Sequence, residues 1–256
     1  MEIKQTIKVY QELANNAWPC NQHFFVKGWD VRVSEGYTQR ANSVLPISYF
    51  GVQPEEDIAL VEQIYQKMKL PKTIFQIPDS TDPSNLDLIL SSRGYKLQSK
   101  TSVMSAKLKD LSLDDFKNEN SFKICNQDLN GHWFDFKKSF SPPNSKMHLK
   151  RQIIDRISIP EKKFFYLYSN ELLIGVALGV NERGYLGVYD VEIHPKFRNK
   201  GFGINLMHFI INWALNNSLS LIYLQVETKN KAGQCLYKKL GFRTLFHYHY
   251  REKSFI

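Results

Sequence analysis

A short basic segment near the C-terminus carries the residues whose types and spacing best suit chemistry. It consists of six consecutive residues, Arg198, Asn199, Lys200, Gly201, Phe202 and Gly203. A strand-like run, 186–193, precedes it, and an apolar helix-like run, 204–215, follows. The two glycines let the backbone approach a ligand and turn its N–H groups toward it. A helix start adds roughly half a positive charge, so the segment predicts a site for a phosphate-bearing ligand.

Two familiar phosphate-binding loops do not match this segment. The spacing differs from the G-x-x-x-x-G-K-[ST] pattern of nucleoside triphosphate loops. The third glycine of the dinucleotide fingerprint is absent from the turn. By itself the segment is also compatible with an ordinary basic surface turn.

The residues downstream strengthen the ligand-binding interpretation. A second apolar run at 221–227 is followed by Asn230 and, seven residues later, by Tyr237. A Gly-Phe pair at 241–242 then ends the short helical segment. This order resembles the GCN5-related N-acetyltransferase (GNAT) superfamily, and the resemblance covers roughly residues 122–256.

The resemblance implies a binding mode for acetyl-CoA. In the family the glycine turn holds the pyrophosphate, and Asn230 would bond the pantetheine or diphosphate region. The strand before the turn splays at a bulge, so that backbone groups of Val191 and Ile193 would bond the pantetheine arm. Tyr237 occupies the position of the general acid and would donate to the leaving thiolate. A helix N-cap for Asn230 and a buried aromatic role for Tyr237 are the structural alternatives.

The general base has three carboxylate candidates. Glu192 is favoured slightly because it lies nearest the expected thioester, and Asp190 and Glu227 stay open. Strand alternation places Asp190 and Glu192 on one face, opposite Tyr189 and Val191. Each carboxylate is equally compatible with a surface ion pair.

Length and composition allow one large or two ordinary domains. The chain has 256 residues, of which 43% are hydrophobic and 13% aromatic, which is typical of packed cores. No run is long enough to cross a membrane, and the N-terminus lacks a secretory h-region. Cys20, Cys125 and Cys235 show no metal-ligand spacing, so we expect free thiols, no metal and a cytoplasmic protein.

The formal net charge of +9 raises the possibility of nucleic-acid binding. The basic residues are scattered, however, and their density is highest in the segments expected near CoA, which is itself a polyanion. We therefore expect acetyl-CoA and an amine as partners, with neither nucleic acid nor membrane.

The first half of the chain contains a degenerate copy of the closing unit. Residues 88–97 parallel 235–244: each is a short amphipathic helix ended by glycine and followed by an aromatic residue. No basic glycine turn accompanies the first copy, and Leu90 or Ser91 stands about where Tyr237 stands in the second. We expect a degenerate GNAT-like domain over 1–108, a linker over 109–121 and a catalytic domain over 122–256.

Arg40 and Asn42 form a further polar pair in the first half. One hypothesis places them in the acceptor cleft. The structural alternative is that Asn42 satisfies the backbone of a loop.

These observations predict an α/β (α+β) chain with a GNAT fold, a mixed sheet and one cofactor site. The expected activity is transfer of the acetyl group of acetyl-CoA to a primary amine of a small molecule or peptide. Alternatives are a CoA-binding pseudoenzyme or regulatory module, and an enzyme that transfers a bulkier acyl group.

Overall fold

A computed structural model describes residues 3–111, 121–128, 131–143, 145–158 and 161–255. In chain order the helices and strands are α1 (Ile3–Asn16), β1 (Gln22–Val26), β2 (Trp29–Val33), β3 (Val44–Leu45), α2 (Pro54–Lys67), β4 (Lys72–Pro78), α3 (Leu86–Ser92), β5 (Lys96–Lys107), β6 (Ser121–Cys125), α4 (His132–Lys138), α5 (Met147–Asp155), β7 (Glu161–Ser169), β8 (Leu172–Glu182), β9 (Tyr185–Ile193), α6 (Phe202–Asn216), β10 (Leu221–Glu227), α7 (Lys231–Lys239) and β11 (Arg243–Ser254). In these ranges, no helix combines the length and the apolar character needed to span a bilayer.

The chain forms two compact units. Unit 1 comprises Met1–Ser102, Gln152–Arg156 and Phe246–Ile256, and unit 2 comprises Val103–Arg151 and Ile157–Leu245. The domain boundaries expected from sequence stay a prediction, and residues 112–120 of the expected linker lie outside the described residues. The last eleven residues, expected in the second domain, group with unit 1 because Tyr248–Ser254 pair with β4.

Unit 1 contains the neighbouring strands β1, β2, β3, β4 and the end of β11. The pairs β1–β2, β2–β3 and β4–β11 are antiparallel, whereas β3 and β4 run parallel. Helix α2 begins at Pro54, whose fixed φ suits the first helical position. Its buried residues Ile58, Val61 and Tyr65 follow the helical period and pack with Trp29 and other apolar side chains into one core.

Asn42 has a structural role in unit 1. Its side-chain oxygen accepts from the backbone N–H of Ser34 and Gly36, at 2.7 and 2.9 Å. Its side-chain nitrogen donates to the carbonyls of Tyr37 and Thr38 at 2.6 and 2.9 Å. The structural alternative therefore holds for Asn42, which is only 2% exposed.

Unit 2 contains a mixed sheet in the order β5, β10, β9, β8, β7, β6. Strands β6 to β9 form an antiparallel meander, and β10 joins β9 in parallel through the crossover helix α6. Buried residues of α6, including Leu206, Ile210 and Ile211, pack on this sheet. The α+β class, the mixed sheet and the order of meander and crossover agree with the sequence prediction.

Candidate functional site

The glycine turn joins β9 to α6 in unit 2. One turn of 3-10 helix over Pro195–Phe197 leads into it, and α6 begins at Phe202. Asn199 and Gly201 have left-handed φ values of +61° and +84°. A Cβ added at Gly201 would have no neighbour within 4 Å. The turn therefore needs glycine for its backbone angle, and the space in front of it is open.

Positive charge converges on this open turn. The N–H of Asn205 donates to the carbonyl of Gly201 at 3.1 Å, which is the first hydrogen bond of the helix. By helix geometry the N–H groups of residues 202–204 have no partner within the helix. Arg198 and Lys200 are exposed beside them. Exposed N–H donors, a helix dipole and two cations suit a phosphate group.

Gly203 holds the start of α6 against α7. A Cβ at this position would lie 3.0 Å from Cδ1 of Leu236 and 3.9 Å from Cγ1 of Ile193. Glycine thus allows a close approach of the turn, the end of β9 and α7. Val191, Ile193, Phe202, Leu236 and Tyr237 all pack against the same core cluster.

Strand β9 separates from β10 before it reaches the turn. Their parallel pairing runs from Tyr185 and Leu221 to Val188 and Leu224, although both strands continue beyond. On its other side β9 contains a bulge, because Tyr189 pairs with Leu178 while Glu192 pairs with Val176. The predicted splay and bulge are therefore present.

The bulge is centred on Asp190, which has a left-handed φ of +51°. Within the described strands the register pairs Val191 with no residue of β8 or β10. The backbone of Val191 is thus placed where a ligand strand could bond to it. The carbonyl of Ile193, in contrast, accepts from Nε of Arg198 at 3.0 Å.

The bulge corrects one prediction from strand alternation. Val188 and Val191 both pack against the core cluster, although they are three residues apart. Tyr189 lies on the other face with Tyr223, and the two hydroxyls are 2.9 Å apart. Tyr189 is therefore not opposite Asp190, because the extra residue shifts the phase of the alternation.

Asp190 and Glu192, which are partly buried, belong to a charge network with two buried lysines. Nζ of Lys137 contacts Oε2 of Glu192 and lies 3.7 Å from Oδ1 of Asp190. Nζ of Lys150 lies 2.7 Å from Oδ2 of Asp190. On the outer side, the Arg198 guanidinium lies 3.4 Å from Oε1 of Glu192. Each Glu192 oxygen thus has a cationic partner.

Helices α4 and α5 supply the two lysines, and Trp133 supports them. Each ammonium lies 5.8 Å from the centroid of the Trp133 ring. Burial opposes the charge of Lys137, but the neighbouring Asp190 and Glu192 outweigh it and raise the pKa of Lys137. For Lys150, burial dominates over the charge of Asp190 and lowers its pKa. The network is therefore a desolvated set of charges beneath the bulge.

The sequence interpretation did not include Lys137 and Lys150. A signal was available for Lys137, which follows Trp133 by four residues and shares its helix face. The third base candidate, Glu227, ends β10, and its Oε2 lies 2.7 Å from Nζ of Lys229.

Tyr237 lies on α7 and is partly buried. Its ring contacts Phe242 at a centroid distance of 6.0 Å. Burial raises the pKa of Tyr237 to about 12. The phenol therefore stays protonated at neutral pH and can act as a hydrogen-bond donor.

Asn230 caps the same helix. Its Oδ1 accepts from the backbone N–H of Gly233 at 2.9 Å. The N-cap alternative is therefore realised for this oxygen, and a contact of Asn230 with CoA stays a prediction. Over the described residues, no group of three or more His, Cys, Asp or Glu side chains is arranged to hold a metal ion.

Comparisons with known proteins agree with this geometry. Residues 5–251 match the family described as "Probable histone acetyltransferase Rv0428c C-terminal". The chain is 30% identical over 251 residues to the "Uncharacterized N-acetyltransferase YobR" of Bacillus subtilis, covering 96% of this chain and 98% of that protein.

Solved structures show the same fold at low sequence identity. A GCN5-related N-acetyltransferase from Kribbella flavida superposes with a TM-score of 0.72 and 9% identity, covering 99% of this chain and 96% of that one. A tandem GNAT protein from the clavulanic acid biosynthesis pathway has a TM-score of 0.65 and 11% identity, covering 78% of this chain and 69% of that one. The chain therefore belongs to the Rv0428c C-terminal family of GNAT-type acetyltransferases.

Proposed function

We propose that this acetyltransferase moves the acetyl group of acetyl-CoA to a primary amine of a small molecule or peptide. The observation that carries the proposal is the open basic turn at the start of α6, next to the point where β9 leaves β10. Acetyl-CoA supplies an activated thioester. Arg198, Lys200 and the first N–H groups of α6 would hold its phosphates, and the backbone of Val191 would bond the pantetheine arm.

Tyr237 would assist departure of the thiolate. A thiol has a pKa of about 8.5, so full proton transfer from a phenol with a pKa of about 12 is uphill by roughly 5 kcal/mol. We therefore assign Tyr237 to hydrogen-bond donation toward the leaving sulfur. Such a donor lowers the barrier without itself becoming charged.

The base must remove a proton from the acceptor ammonium. Glu192 stays our first candidate, although both of its oxygens already contact cations. Glu227 is the alternative, since it faces Lys229 and its side chain is 39% exposed. The variants Glu192→Gln and Glu227→Gln separate the two. The variant that lacks the base will lose the acidic limb of its kcat/KM profile against pH.

Two classes of amine acceptor are considered, lysine-bearing peptides and small primary amines. The family description names a probable histone acetyltransferase, which favours a lysine-bearing peptide. The formal charge of +9 favours an acceptor that is not strongly basic overall. The acceptors to be tested are therefore a panel of small primary amines and lysine peptides.

The test combines binding with product detection. Purified protein is titrated with acetyl-CoA by calorimetry and incubated with the panel, and acetylated amines are identified by mass spectrometry. Mass detection avoids interference from the three free cysteines. We expect saturable binding and one acetylated acceptor. Binding without any product would favour a CoA-binding module, and absence of binding would refute the proposal.

A further inference from the structure

A second group of reactive side chains lies in unit 1, on the hairpin formed by β1 and β2. The register pairs His23 with Arg32 and Phe25 with Asp30. Strand alternation places these four residues on one face. The opposite face carries Trp29, Val31 and Val33, which belong to the core of unit 1. The loop after α1 brings Cys20 to the Arg32 end of the polar face.

Cys20, His23 and Asp30 are aligned by short contacts. Sγ of Cys20 lies 3.1 Å from Nε2 of His23, and Nδ1 of His23 lies 2.8 Å from Oδ1 of Asp30. Both ring nitrogens therefore have a partner that favours the protonated ring. Asp30 orients the imidazole, and the imidazole faces the sulfur, which is the arrangement that activates a thiol nucleophile.

Arg32 adds a buried positive charge to this group. It is 0% exposed and donates to the side chain of Asn15 at 2.6 Å and to the carbonyl of Arg40 at 2.8 Å. Its Nε has no hydrogen-bond partner among the described residues. One donor of a buried cation is thus left unsatisfied near a sulfur that can become an anion.

Electrostatics supports a thiolate–imidazolium pair. Burial acts to raise the pKa of the Cys20 thiol, but the hydrogen bond from His23 and the charge of Arg32 outweigh it and lower that pKa overall. The hydrogen bond to Asp30 raises the pKa of His23 to about 10, with a further contribution from Cys20. At neutral pH the imidazole therefore carries a proton, and its charge favours the anionic form of the sulfur beside it.

Burial restricts what can react with this sulfur. Cys20 is only 6% exposed, whereas the His23 side chain is 44% exposed. The ring thus reaches solvent, whereas Cys20 is nearly covered, which would limit attack on its sulfur to small molecules. A reagent with a bulky leaving group would have to displace His23 or the loop before Cys20.

We propose that Cys20, His23 and Asp30 form a peroxide-reactive thiol site. The Cys20 thiolate attacks one oxygen of hydrogen peroxide, so that an S–O bond forms and the O–O bond breaks. The departing hydroxide takes the proton of the His23 imidazolium and leaves as water. The sulfur is oxidised by two electrons to a sulfenic acid, and the peroxide is reduced.

The pH dependence of the reaction tests the proposal on an intact protein. In a Cys125→Ser, Cys235→Ser background, sulfenic acid at Cys20 is trapped with dimedone and quantified by mass spectrometry after exposure to hydrogen peroxide. For an ordinary thiol with a pKa of about 8.5, the thiolate fraction falls about 80-fold when the pH is lowered from 8 to 6. We expect the rate at Cys20 to fall by less than about fivefold. A fall of about 80-fold would overturn the proposal.

Matched variants of the hairpin assign the effect to the three residues. His23→Asn and Asp30→Asn should each slow the reaction at pH 6 by at least about tenfold. Lys27→Gln removes an exposed charge from the same hairpin and should leave the rate unchanged. Circular dichroism melts establish that each variant is folded. A folded His23→Asn protein that reacts at the parent rate would refute the site, and none of these readouts depends on acetyl transfer.

Discussion

The two units contain the same succession of strand, turn and helix, but with opposite charge at the start of the helix. In unit 2 the turn before α6 carries Arg198 and Lys200. In unit 1 the corresponding helix is α2, between the parallel strands β3 and β4, and its first turn carries three carboxylates, Glu55, Glu56 and Asp57. Carboxylates stabilise the helix start and repel a phosphate from it. The charge at the helix start thus suits an anion in unit 2 and opposes one in unit 1.

The helices that close the two units repeat the same hydrogen bonds. Just after α7 the N–H of Phe242 donates to the carbonyl of Tyr237 at 3.0 Å, and just after α3 the N–H of Tyr95 donates to the carbonyl of Leu90 at 3.0 Å. Leu90, rather than Ser91, therefore occupies the position of Tyr237. It is fully buried and has no hydroxyl to donate. The comparison therefore agrees with our proposal that CoA binds in unit 2.

Making the turn of unit 2 acidic would test the charge difference and has the largest expected effect. The double variant Arg198→Glu, Lys200→Glu removes two charge-assisted contacts worth about 1.5–3 kcal/mol each. We expect the KM for acetyl-CoA to rise about 1,000-fold, at 1.4 kcal/mol per tenfold. Steady-state kinetics measures it.

The control for this variant is Lys107→Glu, Lys109→Glu. These exposed lysines flank Leu108, whose N–H donates to Ser220 just before β10. They therefore lie near the start of β10, at the opposite end of the sheet from the glycine turn. Both double variants change the net charge by the same amount. An equal rise in KM for both double variants would mean that overall charge, not the turn, attracts the donor.

Removing the hydroxyl that distinguishes α7 from α3 should affect turnover alone. Tyr237→Phe should lower kcat about 100-fold, the lower end of the loss when one hydrogen-bond donor to developing negative charge is removed, with the Kd for acetyl-CoA unchanged. Calorimetry and initial rates measure the two quantities. Turnover equal to that of the parent protein would remove Tyr237 from the mechanism.

The glycines that end the two helices should differ slightly in their tolerance of a side chain. Gly94 and Gly241 have φ values of +85° and +91°, and a left-handed alanine costs about 1–2 kcal/mol. A Cβ at Gly94 has no neighbour within 4 Å, whereas one at Gly241 lies 3.0 Å from Leu111.

We therefore expect Gly94→Ala to cost about 1 kcal/mol and Gly241→Ala about 2 kcal/mol of unfolding free energy. Urea denaturation measures both values, and asparagine at each position, which tolerates this backbone conformation, should restore part of the loss. A larger loss at Gly94 than at Gly241 would contradict the steric argument.

The N-caps give the smallest expected losses of stability. Asn230 accepts a hydrogen bond from Gly233, while Asn85, at the same position before α3, makes no capping bond. Asn230→Ala should cost about 1 kcal/mol of unfolding free energy and Asn85→Ala close to none. Thermal melts of the two variants measure these losses. Equal losses of unfolding free energy would show that the capping bond of Asn230 does not distinguish α7 from α3.

Much of the fold followed from local patterns. The glycine turn, the Gly-terminated helices and the order of meander and crossover are encoded by consecutive residues, and each is present in the structure. The predicted alternation of side chains along β9 was wrong at Tyr189, because a bulge inserts a residue that strict alternation does not anticipate. The pairing of Lys137 with Glu192, 55 residues apart, depends on how α4 packs against that bulge.

The sequence by itself determined the basic glycine turn, because a left-handed glycine, two basic residues and a helix start are properties of six neighbouring residues. It also determined the single tyrosine-bearing copy of the closing helix. Only the tertiary structure decided which cations face Glu192 and that Cys20, His23 and Asp30 align. Those contacts depend on strand register and on the packing of helices against a sheet, and side chains brought together in that way leave no local pattern in the chain.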